Sequence, residues 1–526
     1  MVSSDAILAS QAGVEILKKG GNAIDAAVAT AFALAVVYPQ AGNIGGGGFA
    51  VVRTADAKVF ALDFREVAPK ASTRDMYLDA NGKLGDRSLV GHLAAGVPGA
   101  VAGLEALHKK LGSLPWKDVV EPAARLAEDG FTVDQEFSTS VADSRDNLAK
   151  FPESASLFLP GGEPLEVGST WKNPDLAKTL RRIAAKGSKD FYQGETAALI
   201  VAEMQRGKGI ITRDDLRSYQ PKWRQPLEFD YRGHHVISMP PPSSGGLVLA
   251  LVLQALEGWD LKKLGWHSAE AVHVEAELLR RAFALRNELL GDPDAIKVPL
   301  DRFLSKEAVG SLRAEVSMDK ATPSAQVKVT AEGNHTTHFS VVDDKGAAVA
   351  LTTTINLGYG SAVTVKGAGF VLNNEMDDFA ANPGKPNAFG LVQGEKNAVA
   401  PGRRMLSSMS PTIVVGADGK VRLVTGAAGG PTIITATFHV ISNVVDYGMG
   451  VVEAVASPRF HHQHLPDAIA YEEGGLPPAV IEALKAKGHR LTTRAHIADA
   501  PSILRDGAEW TGSAEPRITG GGAVGY

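Results

Sequence analysis

The run Asn334-His335-Thr336-Thr337-His338-Phe339-Ser340 sets a threonine where backbone cleavage would make it a new amino terminus. A threonine hydroxyl is a poor nucleophile at neutral pH. A free α-amino group on the same residue titrates at about 7.7 to 8.0 and can take its proton. A chain cut between His335 and Thr336 would therefore carry nucleophile and base on one residue. Downstream, Thr-Thr-His-Phe-Ser-Val-Val, Asp343-Asp344-Lys345-Gly346 and Ala-Ala-Val-Ala-Leu-Thr-Thr-Thr read as strand, tight turn, strand. With Asp344 to Gly346 as the loop, and Gly346 taking a positive φ, Thr336 faces Thr354. Directly opposed residues of an antiparallel pair lie within about 5 Å, close enough for the Thr354 hydroxyl to bond to Thr336.

Other residues have suitable chemistry but ordinary readings on their own. Arg65, in Leu62-Asp63-Phe64-Arg65-Glu66, can grip a carboxylate through two parallel N–H bonds, yet an ion pair with Asp63 or Glu66 would also account for it. Glu375, Asp377 and Asp378 form an acidic cluster of the kind that usually marks a solvated turn. Gly429-Gly430 precede Pro431-Thr-Ile-Ile-Thr-Ala-Thr-Phe, which reads as a helix with proline in its first turn. Backbone N–H groups at such a helix start suit a developing oxyanion. Gly45 to Gly48 lack the lysine and spacing of a phosphate loop, so close backbone packing is expected there. His461-His462-x-His464 has metal-like composition, but adjacent histidines on a strand point to opposite faces, and no metal site is expected.

Taken together, these motifs resemble the γ-glutamyltranspeptidase (γ-glutamyltransferase) family of N-terminal-nucleophile hydrolases. The resemblance rests on residues 42–49 (Gly-Asn-Ile-Gly-Gly-Gly-Gly-Phe), residues 62–66, Met239-Pro-Pro-Pro-Ser-Ser-Gly-Gly246 and the Thr336 hairpin. It continues through Leu372-Asn373-Asn374-Glu375-Met376-Asp377-Asp378-Phe379, Leu406-Ser407-Ser408-Met409-Ser410-Pro411, residues 426–430 and Pro458-Arg459-Phe460-His461-His462, in family order over nearly all 526 residues.

The resemblance implies roles. Thr336 would be the nucleophile, assisted by Thr354, with Gly429 and Gly430 as oxyanion donors. Arg65, Ser407 and Ser408 would hold the substrate α-carboxylate. Asp378, helped by Glu375 and Asn356, would hold its ammonium, and Asp377 would be structural. Self-cleavage at His335-Thr336 would begin with the Thr336 hydroxyl attacking the His335 carbonyl. The pieces 1–335 and 336–526 would stay together as large and small subunits around one core. The implied substrates are γ-glutamyl donors such as glutathione and glutamine-like amides, with water, amino acids or dipeptides as acceptors and no cofactor. Two alternatives are a glutaryl or cephalosporin acylase of the same fold and a catalytically silent γ-glutamyl-binding protein. The acylase acts on an acyl group without an ammonium, which leaves Glu375 and Asp378 without a partner.

The implied fold is α+β: a four-layer αββα sandwich, two stacked mainly antiparallel sheets flanked by helices. Periodicity predicts a helix from Asp5 to Lys19, a second one capped by Asn22, helical patterns through the middle of the chain and strand pairs from Thr336 onward. Asn382 to Gly394, rich in proline and glycine, reads as a lid. In lid-bearing bacterial relatives the position matching Phe389 is often tyrosine.

Net charge is −5 with 21% charged residues and no basic run interleaved with aromatics, which argues against nucleic acid as a partner. There is no cysteine, so thiolate chemistry and disulfides are excluded. The apolar stretch Ala23 to Val37 contains Asp25 and is shorter than the roughly 20 residues a membrane span needs. No secretory signal pattern follows Met1. By resemblance the enzyme is expected in the periplasm or secreted.

Overall fold

The computed structural model describes residues 1–326, 336–383 and 394–526. Helix α1 (Ile7–Lys18) runs into α2 (Ala23–Val37) through Asn22. The Asn22 side chain accepts from Ile24 N and Asp25 N while Asp25 returns a bond to Asn22 N, the reciprocal cap that starts a helix after a glycine pair. Every residue of α2 is buried, as its unbroken apolar text requires.

Two antiparallel sheets stack face to face. The first has seven strands in the order Gly522–Val524, Val2–Ser4, Thr337–Val342, Ala348–Thr354, Gly47–Arg53, Val59–Asp63, Lys222–Arg224. The second has six, in the order Glu509–Ser513, Ser502–Asp506, Val421–Thr425, Thr412–Val415, His234–Ser238, Leu227–Tyr231. Along Gly47–Arg53, Ala50 and Val52 belong to the core beneath α2, while Phe49 and Val51 belong to the core shared with the second sheet. Strands buried on both faces lose the alternation that marks a half-exposed strand. On the far side α3 (Gly245–Leu256), α4 (Ala269–Leu289) and α5 (Thr432–Val445) complete the fourth layer. The αββα expectation holds.

The hairpin register is the one expected: Ala348 pairs with Val342 and Thr353 with Thr337, and Gly346 has φ 85°. The part before Thr336 is rich in helices, as expected, but both sheets draw strands from it as well as from the part after Thr336. Four of the seven strands in one sheet and two of the six in the other precede Thr336. Among them Gly47–Arg53 is buried almost throughout, whereas Leu227–Tyr231 alternates buried and exposed residues. No helix among the described residues is long and apolar enough to cross a membrane.

Candidate active site

Thr336 stands just before its strand, where the ladder ends, and its hydroxyl donates to Thr354 Oγ1 at 3.4 Å, the outer limit for such a bond. Thr354 Oγ1 also accepts from Asn356 N at 2.8 Å. Asn356 has φ 76°, a left-handed backbone that asparagine tolerates, and its Nδ2 donates to Asn374 O at 3.0 Å. The neighbouring Gly46–Gly48 allow strands to approach closely: a Cβ on Gly46 would lie 2.1 Å from Thr354 O, and one on Gly48 2.3 Å from Thr352 O.

A partly open cavity lies beside Thr336. Arg65, Thr354, Asn356, Glu375, Asp378, Ser407, Ser408 and Gly430 line it, together with Arg286, Met409, Pro431 and Ile433. Nearly every expected residue among the described ones is therefore in one place. Gly429 sits one residue behind Gly430 at the start of α5. Its φ of 139° and the 57° of Gly430 are backbone conformations open to glycine, and a Cβ on Gly429 would lie 3.0 Å from Ala498 Cα. His335 and Phe389 lie outside the described residues, as does most of the expected lid.

Arg65 is fully buried and pairs with both Glu375 and Asp378, while Glu66 Oε2 lies 3.6 Å from its Nη1. The alternative reading, a surface pair with Asp63 or Glu66, is corrected: a pair with Glu66 is present but buried, and Asp63 is taken elsewhere. Its carboxylate accepts from Arg65 N at 3.0 Å and pairs with Arg224 at 2.8 Å and Arg404 at 3.3 Å. Burial pushes the carboxyl groups of Glu66, Glu375 and Asp378 up, Glu66 to about 7, although Arg65 pulls against it. A cation entering this end of the cavity would favour their charged forms. The acidic turn Glu375–Asp378 is not solvated: Asn373 Oδ1 accepts from Glu375 N at 3.0 Å, and Asn397 Nδ2 donates to Asp378 O at 2.7 Å. Asp377 turns away to accept from Ser88 Oγ at 2.8 Å.

The proline-serine motif proves to be the clamp for the Ser407-Ser408 loop. Ser407 N donates to Pro242 O at 3.0 Å, Ser244 N to Ser407 O at 2.7 Å, and Ser243 Oγ to Met409 O at 2.5 Å. His461 and His462 point to different neighbours, Thr435 and Gln463 for the first and Arg280 with Asp467 for the second. Sequence reasoning missed Arg286, since an arginine in a helical pattern carries no mark of being buried.

The Gamma-glutamyltranspeptidase family model matches residues 9–525. The chain belongs to the γ-glutamyltranspeptidase family. The glutathione hydrolase proenzyme of Escherichia coli (strain K12) is 45% identical over 534 residues, covering 100% of this chain and 92% of that protein. The solved Helicobacter pylori gamma-glutamyltranspeptidase is 45% identical, covers 61% of this chain and 93% of its own, and superposes with a TM-score of 0.60. The cephalosporin acylase structure from Bacillus halodurans follows the fold more completely, with a TM-score of 0.86 over 99% of this chain and 94% of that one, but at 28% identity. Within this γ-glutamyltranspeptidase family the chain is thus nearer in sequence to glutathione hydrolases than to that acylase.

Proposed function

We propose that this chain is a self-processing γ-glutamyltranspeptidase and glutathione hydrolase. The observation that carries the reading is the cavity itself. It has a threonine hydroxyl at one wall and, at the other, an arginine and two serine hydroxyls beside the buried carboxyl pair Glu375 and Asp378. A γ-glutamyl group presents an α-carboxylate to the first set, an ammonium to the second and its γ-carbonyl to Thr336.

Cleavage between His335 and Thr336 releases the Thr336 amino group and leaves 1–335 and 336–526 as associated subunits. That amine takes the hydroxyl proton while Oγ1 attacks the γ-carbonyl. The carbonyl oxygen becomes an oxyanion facing Gly429 and Gly430, where losing one donor typically costs about 3 to 4 kcal/mol in the transition state. The C–N bond then breaks, the protonated α-ammonium gives its proton to the leaving amine, and a γ-glutamyl ester remains on Thr336. Water, an amino acid or a dipeptide attacks the ester and regenerates the hydroxyl. Glutathione and glutamine-like amides fit as donors, no cofactor takes part, and the family resemblance supports a periplasmic or secreted location.

The test is turnover of γ-glutamyl-p-nitroanilide with and without glycylglycine, alongside glutaryl-p-nitroanilide. Release of nitroaniline from the γ-glutamyl amide, stimulated by the dipeptide, is expected. Preferential turnover of the glutaryl amide would replace this reading with the acylase one.

A further inference from the structure

Arg286 reaches the cavity from the last turn of α4 and is 1% exposed. Its hydrogen bonds go to neutral acceptors: Nε donates to Ser244 Oγ at 3.0 Å, Nη1 to Asn287 Oδ1 at 2.8 Å and Nη2 to Ser408 Oγ at 3.1 Å. Among the described residues no carboxylate lies within ion-pair distance of it. Arg280 and Arg281, on the same helix, pair with Glu277. Asp378 acts on Arg286 only through space, so an anion entering the cavity would compensate its burial further.

The direction of these bonds decides the chemistry of the serines. A guanidinium has donors only, so Ser408 Oγ must accept from Arg286, and its single proton is left for another acceptor. Ser407 Oγ likewise accepts from Met409 N at 3.1 Å. Both hydroxyls therefore offer O–H groups at the cavity wall. Ser244, which accepts from Arg286, donates to Ser407 O at 2.6 Å and so ties the guanidinium to the backbone of the same loop.

We propose that Arg286 is a positioning and specificity residue for the carboxylate end of the donor: it fixes Ser408 as a hydrogen-bond donor and adds a second positive charge. This rests on the γ-glutamyl reading above. Arg65 and Arg286 face Glu66, Glu375 and Asp378, so two cations stand against three carboxyl groups. A zwitterionic amino-acid head gives each side a partner. A donor with ammonium but no carboxylate forgoes what Arg286 and the serines offer.

The experiment compares γ-glutamyl-p-nitroanilide with 4-aminobutyryl-p-nitroanilide, which keeps the ammonium and lacks the carboxylate, in the parent, Arg286→Met and Arg286→Lys. In Arg286→Met the KM for the γ-glutamyl donor should rise about tenfold or more, with kcat changed by less than about threefold. The preference for γ-glutamyl over 4-aminobutyryl, as a ratio of kcat/KM, should fall by a similar factor. Arg286→Lys should fall between, because an ammonium keeps the charge but cannot hold Ser244 and Ser408 together. A loss shared equally by both donors, or an unchanged preference in a γ-glutamyl-preferring parent, overturns the role of Arg286 alone. Should Arg286→Met fail to fold, Arg286→Lys decides by the same ratio. A parent without any preference for the γ-glutamyl donor overturns the underlying reading as well.

Discussion

At the Thr336 end of the cavity the side chains are neutral and come from one hairpin, with glycine backbone from the start of α5. At the Arg65 end they are charged or hydroxylic and come from the segments around residues 65, 286, 375–378 and 407–408. Two hydroxyls cost little to bury once they find each other. A cluster of two guanidiniums and three carboxyl groups is costly to bury unless charges and polar groups are placed against one another, and that demands chain from far apart. The first end can therefore be assembled locally, whereas the second depends on the whole fold. The difference suggests that damage should separate cleanly, with chemistry lost at one end and affinity at the other.

The largest effect should come from Thr336→Ala, which removes nucleophile and self-cleavage together. One uncut, inactive band is expected on a denaturing gel. The smaller parent band should begin Thr-Thr-His-Phe on amino-terminal sequencing. A Thr336→Ala protein that still appears as two bands would sink the self-processing mechanism.

At the other end, Arg65→Lys should leave processing intact but raise KM for γ-glutamyl donors by about 10- to 100-fold, because a planar fork that pairs with two carboxylates becomes a point charge. Asp378→Asn should act in the same direction. Equal loss in kcat and unchanged KM would show that the two ends are not separable.

A smaller, pH-dependent effect is expected from Glu66→Gln. Burial holds the Glu66 carboxyl at about 7, above its ordinary 4.5. The folded protein therefore keeps a proton that the unfolded chain releases. This contribution to stability is fully present below about pH 4.5 and is lost as pH rises through about 7. Thermal unfolding of Glu66→Gln should accordingly improve relative to the parent between pH 5 and pH 8. A constant difference across that range would mean that Glu66 does not titrate there.

The smallest effect concerns Phe389, outside the described residues. If the expected lid closes over the site, a hydroxyl supplied by Phe389→Tyr would add a bond worth about 0.5 to 1.5 kcal/mol to it, and transfer should gain on hydrolysis by a few-fold at most. An unchanged ratio of the two products would show that this position does not gate water.

Sequence alone determined the hairpin register, because a loop of Asp344 to Gly346 leaves one way to pair the strands and sets Thr336 against Thr354. It also determined the capped pair α1–α2 and the glycine start of α5, each encoded within a few residues. The residue types near Arg65, Asp378 and Ser407 were visible, but their company was not. Only the tertiary structure decided that Arg65 pairs with Glu375 and Asp378 rather than with Asp63, and that the proline-serine motif clamps the Ser407 loop. It alone decided that, of the three arginines on α4, Arg286 faces the cavity. Hairpins and caps are short-range and follow from local geometry. Which charge meets which is a long-range question, answered only when distant segments are buried together.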